Sequence, residues 1–177
     1  TISANASTIF LDGGTITTLN NSGIISSSGN TIDNFSGTLT TLSNSNTISS
    51  NGGVAVSNTE AASMSLINNS GTILSETAEG ILNRDSTIST LTNSGTIQSD
   101  NADAIYNRGG TINTLTNTGT ISANNILYRD INNTGSIGTL INSQGGNDAL
   151  TYSGVLPNAY YIVINSKSDY GKVEFSE

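Results

Sequence analysis

The chain has 177 residues, of which 77 are Ser, Thr or Asn, and its formal net charge is −8. It holds five Lys and Arg residues against thirteen Asp and Glu, and therefore lacks the clustered cations that bind nucleic acids. The sequence contains no His and no Cys, which excludes zinc sites, thiol chemistry and histidine-dependent catalysis. No apolar run approaches the length of a membrane-spanning helix, and the first residues lack the pattern of a signal peptide.

A repeat of about 24 residues is the dominant feature of the sequence, and one asparagine marks the middle of each copy. The steps between these asparagines are 23, 25, 24, 24 and 25 residues. Repeats of this length are typical of solenoids, and stacked asparagines can form hydrogen-bonded ladders. We therefore predict a structural column formed by Asn21, Asn44, Asn69, Asn93, Asn117 and Asn142.

Each copy contains three short runs in which apolar residues alternate with polar ones, for example residues 15–17, 79–82 and 96–98. Asn, Ser and Gly bound these runs, which is typical of strands, and no segment has the apolar spacing of a helix. Three strands per period predict an all-β fold, a single-stranded parallel β-helix with about 24 residues per coil. The predicted coils are residues 1–14, 15–37, 38–62, 63–86, 87–110, 111–135 and 136–148.

Four apolar columns would face the interior of such a stack, with about 4.8 Å between successive members. The first column is Ile16, Leu39, Met64, Ile88, Ile112 and Ile137. The second is Leu19, Leu42, Ile67, Leu91, Leu115 and Leu140, and the third is Ile25, Ile48, Ile73, Ile97 and Ile121. The fourth, less regular column is Ile32, Val56, Ile81, Ile105 and Ile126.

Residues 149–177 differ from the repeat, because they hold five of the nine aromatic residues, both lysines and the single proline. Two predicted strands, 160–164 and 172–175, are joined by a turn at 166–169. We predict that they form a hairpin that caps the exposed edge of the last coil, as solenoids require. Because Thr1 begins inside a coil, we expect the chain to be cut from a longer solenoid.

The units DAIYNRGGTINTLTNTGTISANN and EGILNRDSTISTLTNSGTIQSD resemble passenger domains of Gram-negative autotransporters, the type V secretion family. The segment GVLPNAYYIVINSKSDYGKVEF is similar to one that follows such repeats, which implies that residues 149–177 are a cap or the start of the next passenger segment. The resemblance covers nearly the whole chain and implies a right-handed β-helix on the cell surface. It also implies that the outer membrane is contacted only through a translocator barrel outside this sequence.

The function that this resemblance implies is that of an adhesin or rigid stalk, with no cofactor. Its expected partners are a host or neighbouring-cell surface, glycans, or further copies of the same chain. A carbohydrate- or ice-binding module is the alternative, because outward ranks such as Thr15/Thr17, Thr38/Thr40, Ser63/Ser65 and Thr87/Ser89 form a threonine-rich array. We do not expect an enzyme, since no long loop interrupts the repeat to build a cleft.

Two sets of charged residues recur at or close to the repeat period and are candidate sites. Carboxylates are oxygen ligands for cations, so Glu76, Glu79, Asp100 and Asp103 form a weak candidate metal site. A candidate interaction face comprises Arg84, Asp85, Arg108, Arg129 and Asp130. The alternative for both sets is a solvated surface on which acids and arginines offset each other. Residues 145–150 are faintly similar to a calcium-binding nonapeptide, but a single partial copy favours a turn.

Overall fold

A computed structural model, which describes residues 1–146 and 148–176, is a parallel β-solenoid of about seven turns with about 24 residues per coil. The predicted all-β solenoid is therefore confirmed, whereas the right-handed sense of the coil stays a prediction. The described residues contain no helix that could cross a membrane.

Each complete coil contributes one strand to each of three parallel sheets, which we name A, B and C in the order in which the chain visits them. Sheet A has six strands: β1 (Ile2–Ala4), β4 (Ile24–Ser27), β7 (Thr47–Ser50), β10 (Thr72–Ser75), β13 (Thr96–Ser99) and β16 (Thr120–Ala123). Sheet B has eight: β2 (Ile9–Asp12), β5 (Ile32–Phe35), β8 (Val56–Thr59), β11 (Ile81–Arg84), β14 (Ile105–Arg108), β17 (Ile131–Asn133), β19 (Leu150–Gly154) and β21 (Val173–Ser176). Sheet C has seven: β3 (Thr15–Asn21), β6 (Thr38–Asn44), β9 (Ser63–Asn69), β12 (Thr87–Asn93), β15 (Thr111–Asn117), β18 (Ser136–Asn142) and β20 (Ala159–Ile162).

The core lies along the solenoid axis and is made of the predicted apolar columns. Ile88 pairs in register with Ile112 in sheet C, and Ile73 pairs with Ile97 in sheet A, so identical positions stack on one another. Ile16 and Leu19 are partly buried, and all other members of the first three columns are buried. Because every inward position repeats, each coil completes the core of the coil before it.

The fourth predicted column is wrong at its last member. Ile105 pairs with Ile131, whereas Ile126 is 91% exposed. The connection between β16 and β17 is longer than its counterparts, so that Asn107 and its register partner Asn133 are 26 residues apart. Strand pairing, and not the count of residues, decides which isoleucine faces inward.

The predicted C-terminal hairpin is also wrong in its pairing. Strand β20 pairs in parallel with β18, and β21 pairs in parallel with β19, so both strands extend existing sheets. The predicted turn at 166–169 is present, since the backbone N–H groups of Asn165 and Ser166 donate to the Asp169 carbonyl. Between the two arms that flank this turn, the described residues form one antiparallel bridge, from Ile164 to Tyr170. Parallel addition satisfies the open edges of β18 and β19, which a free-standing hairpin would leave unpaired.

Sheet A ends at β16, and two side chains close its edge. The Gln144 amide acts like a strand backbone: its Oε1 accepts from the Ile121 N–H at 2.8 Å, and its Nε2 donates to the Ile121 carbonyl at 2.9 Å. Asp130 Oδ1 accepts from the Ala123 N–H at 2.7 Å. The predicted division at residue 149 therefore falls where sheet A has ended, and the later residues continue sheets B and C alone.

The inward orientation of the third column can be tested at Ile97, which is fully buried between Ile73 and Ile121. The change Ile97→Asp buries an unpaired carboxylate, and we expect the free energy of unfolding to fall by about 4 kcal/mol or more. Urea unfolding followed by far-UV circular dichroism measures this loss. The control Thr96→Asp places the same charge on the outward side, where we expect a change below about 1 kcal/mol. Equal losses would contradict the inward placement.

Candidate functional site

The predicted asparagine column is a continuous ladder of buried amides at the end of sheet C. Each Nδ2 donates to the Oδ1 of the next asparagine, over distances from 2.7 to 3.0 Å between Asn21 and Asn142. The amides also bind backbone carbonyls; Asn93 Nδ2, for example, lies 3.0 Å from the Thr120 carbonyl oxygen. The column is thus structural, because these groups are satisfied inside the stack and none is presented to a ligand.

A second asparagine ladder, which the sequence analysis missed, runs through sheet B. Its members are Asn34, Asn58, Asn83, Asn107 and Asn133, joined by Nδ2–Oδ1 hydrogen bonds of 2.7 to 2.9 Å. The ladder ends at Tyr152, whose hydroxyl accepts from Asn133 Nδ2 at 2.9 Å and donates to the Val155 carbonyl. At the other end Asn34 Oδ1 is buried without a partner, because Leu11 holds the equivalent position in the preceding coil. The repeat spacing of these asparagines was the signal available in the sequence.

Serines form a third polar column at the end of sheet A. Ser50, Ser75 and Ser99 are buried, and each Oγ donates to a carbonyl of the preceding coil at 2.6 to 2.7 Å. The same oxygens accept from the backbone N–H groups of Gly53, Ala78 and Ala102. Each of the three sheets therefore carries a hydrogen-bonded polar column at or next to the ends of its strands, close to the corner that follows.

Charge is segregated on the surface of the solenoid. In residues 1–146, every charged side chain lies on sheet B or in one of the two corners that flank it. Within residues 1–146, the strands of sheets A and C, and the corner between those sheets, carry no charged residue. Their outward positions are mainly Thr, Ser and Asn, so two sides of the molecule are polar but uncharged.

The four candidate metal ligands lie in the corner between sheets A and B but do not converge. Asp103 is buried, and its carboxylate accepts from the Arg129 N–H at 2.8 Å and from Asn132 Nδ2 at 2.9 Å. Asp100 accepts from Gln98 Nε2 and from Asn124 Nδ2, both at 2.7 Å. Among the described residues, no group of three carboxylates is arranged to hold a cation.

The other two candidates, Glu76 and Glu79, differ in their surroundings. Glu76 is exposed to solvent, whereas Glu79 is partly buried. Burial raises the pKa of Glu79, and the charge of Asp103 raises it further, while a backbone hydrogen bond and the charge of Arg108 act in the opposite direction. This set of residues is better described as a loosely coupled acidic corner than as a metal centre.

The predicted five-residue interaction face is divided between two corners. Arg84, Asp85 and Arg108 lie where sheet B passes into sheet C, and Arg84 Nη2 is 3.1 Å from Oε1 of Glu60, a residue that the sequence analysis did not include. This exposed ion pair contributes little to stability. Arg129 lies in the opposite corner, where its Nε donates to Ser176 Oγ at 2.8 Å.

Asp130 belongs to that opposite corner and has a structural role. Its two carboxylate oxygens accept from the Ala123 and Thr151 N–H groups, each at 2.7 Å. Burial raises the pKa of Asp130, and the backbone hydrogen bonds oppose this shift. Because the carboxylate joins the end of sheet A to β19, it is not free to bind a partner.

Residues 145–150, which are faintly similar to a calcium-binding nonapeptide, contain a turn. The Asp148 N–H lies 3.4 Å from the Gly145 carbonyl, which is the geometry of a turn. Asn147, the third residue of this motif, lies outside the described residues.

The comparisons with known proteins give no family for the chain. It matches no family model, no curated protein and no solved structure. The resemblance to autotransporter passengers therefore stays a prediction.

The asparagine ladder of sheet C can be tested at Asn93. The change Asn93→Ala removes the acceptor of Asn69 Nδ2 and the donor to Asn117 Oδ1. Because both groups remain buried, we expect the free energy of unfolding to fall by about 2–4 kcal/mol. The control Ser94→Ala changes the adjacent exposed residue and should cost less than about 1 kcal/mol. Urea denaturation compares the two, and equal effects would exclude a special role for the ladder.

Tyr152, which ends the second asparagine ladder, is expected to make the stability of the protein depend on pH. Burial raises the pKa of Tyr152 to about 12, while the hydrogen bond from Asn133 lowers it. A tyrosine in the unfolded chain titrates near about pH 10, below the folded value. The stability associated with the neutral phenol is therefore complete below about pH 10 and is lost as the pH rises toward about 12.

The change Tyr152→Phe removes this group, so we expect the stability of the variant to decline less steeply over that interval. Urea midpoints measured at a series of alkaline pH values test this expectation. If the stability of the unchanged protein and of Tyr152→Phe declines equally with rising pH, the Tyr152 phenol lies in solvent and the expectation is wrong.

Proposed function

We propose that the chain is a segment of a surface-displayed rod that acts as an adhesin or stalk, using its uncharged side for weak, repeated contacts. The observation that carries this proposal is the segregation of charge. A seven-stranded sheet C without charged residues is a broad, regular surface of hydroxyl and amide groups. Such groups can hydrogen-bond to glycans, to a cell-surface protein or to a second copy of the chain.

Self-association is the version of this function that the charges favour most. With a net charge of −8, two copies repel each other wherever their acidic sides meet. Contact through sheet C places the charged sides of both copies away from each other. This orientation reduces the repulsion and leaves no ion pair to be desolvated.

The size of sheet C is compatible with a weak contact. Six strands of seven residues and one of four cover roughly 700 Å² per copy, or roughly 1,400 Å² for a pair. That area lies at the lower end of the range for specific interfaces. Since hydroxyl groups exchange water for similar partners, the net gain is small, and the contact becomes strong only when many copies act together.

A hydrate-binding role is the second candidate, and the register of sheet C supports it. Thr15 pairs with Thr38, and Thr87 pairs with Thr111, so threonines form ranks at the strand spacing. Leu66 and Gly138 interrupt the array within the same sheet. We favour adhesion because it requires only an uncharged face and no unbroken lattice.

Bead clumping tests the adhesion proposal. Beads that carry many copies of the protein are expected to aggregate, and Thr41→Asp combined with Thr90→Asp should reduce aggregation by about tenfold or more through like-charge repulsion. These positions are outward in β6 and β12, two coils apart. Thermal hysteresis is measured on the same protein, and it is expected only if sheet C binds ice.

A matched control adds the same two charges to sheet B. Phe35→Asp and Leu82→Asp lie outward in β5 and β11, also two coils apart, and should leave clumping unchanged. Equal loss in both double variants would assign the effect to net charge and contradict the proposed face. Hysteresis without clumping would favour the hydrate binder.

A further inference from the structure

The corner between β16 and β17 carries an exposed apolar tip that the repeat does not explain. Ile126 is 91% exposed and Leu127 is 77% exposed, which makes them the most exposed large apolar side chains among the described residues. Tyr128 follows with 37% exposure. The corresponding corners at 76–80 and 100–104 carry only polar, acidic or small residues. We name residues 124–130 the apolar corner.

Hydrogen bonds hold this corner away from the core. The Asn125 side chain accepts from the Leu127 N–H at 3.1 Å, and the Asn125 carbonyl accepts from the Tyr128 N–H at 3.0 Å. The Arg129 N–H donates to the buried carboxylate of Asp103, as described above. Because both ends of the turn are tied to the solenoid, its tip cannot fold back without breaking these bonds, and the two aliphatic side chains are displayed in advance of binding.

We propose that the apolar corner inserts into the interface of a lipid bilayer with zwitterionic headgroups. The order of its side chains matches the polarity profile of such an interface. Two aliphatic residues form the tip and an amphipathic tyrosine follows. The cation of Arg129 lies nearest the solenoid, where its Nε donates to Ser176 and its Nη1 to the Tyr128 carbonyl. Aliphatic groups partition below the headgroups, tyrosine prefers the headgroup level, and arginine prefers the phosphates.

The charge around the corner selects the kind of bilayer. The protein is strongly acidic overall, and Glu76 and Asp100 lie in the same corner one or two coils earlier. An anionic surface would repel these groups, whereas a zwitterionic surface would not. Sheet A, which adjoins the corner, carries no charge and can approach the headgroups without desolvating an ion.

Two aliphatic side chains support only weak and reversible insertion, so attachment would need several copies. This inference does not depend on the association through sheet C. The two ideas can be separated, since Thr41→Asp with Thr90→Asp should leave vesicle binding intact. Ile126→Asp with Leu127→Asp should leave bead clumping intact.

Tryptophan fluorescence and vesicle sedimentation test the proposal. The chain contains no Trp, so Leu127→Trp introduces a single reporter at the tip. With phosphatidylcholine vesicles we expect its emission to shift to the blue and to be quenched by brominated lipid chains. In sedimentation, Ile126→Asp and Leu127→Asp should each lower partitioning by about tenfold or more. Both side chains are exposed, so the thermal unfolding midpoint should not change.

The matched control is Leu156→Trp, at a side chain that is 62% exposed in the corner between β19 and β20. This reporter should show neither the shift nor the quenching. Equal signals from the two reporters, or sedimentation that the aspartates do not reduce, would overturn the proposal. Stronger binding to vesicles containing phosphatidylglycerol would also overturn it, because it would show attraction by charge and not by insertion.

Discussion

A buried amide that donates to its copy in the next coil is the interaction on which the rest of this structure depends. A single coil of about 24 residues cannot bury enough apolar surface to offset the entropy of ordering its backbone. The aligned asparagines at the ends of sheet C and within sheet B fix the register of each coil on the last. Once the register is set, every isoleucine and leucine of the core meets its counterpart.

The same ladders explain why so polar a chain folds. Asparagine and serine are costly inside a protein unless all of their groups are paired. Stacking supplies the missing partner, since each coil provides the acceptor that the neighbouring coil requires. The arrangement fails where the repeat changes. Leu11 leaves Asn34 Oδ1 without a donor, and Gly154 stands where an asparagine would follow Asn133, so the Tyr152 hydroxyl accepts from Asn133 instead.

Burying the amides in the corners leaves the outward positions free to differ in character. In residues 1–146, sheet B and its flanking corners hold the charges, while sheets A and C present mainly hydroxyl and amide groups. An uncharged side is suited to repeated weak contacts, and an acidic side discourages contact in the wrong orientation. The apolar corner is a third kind of surface, created by a connection that is longer than its counterparts.

The repeat period, read from Asn21 to Asn142, was sufficient to predict a β-solenoid, the first three apolar columns and one of the two asparagine ladders. These features follow from local alternation and constant spacing, which a sequence displays directly. Where the spacing changed, only the tertiary structure decided the outcome: backbone pairing selected Ile131 over Ile126 and carried β20 and β21 into parallel sheets. It also separated Arg129 and Asp130 from Arg84, because Arg84 and Arg108 end their strands in sheet B, whereas Arg129 and Asp130 precede β17 and lie in the corner before that sheet.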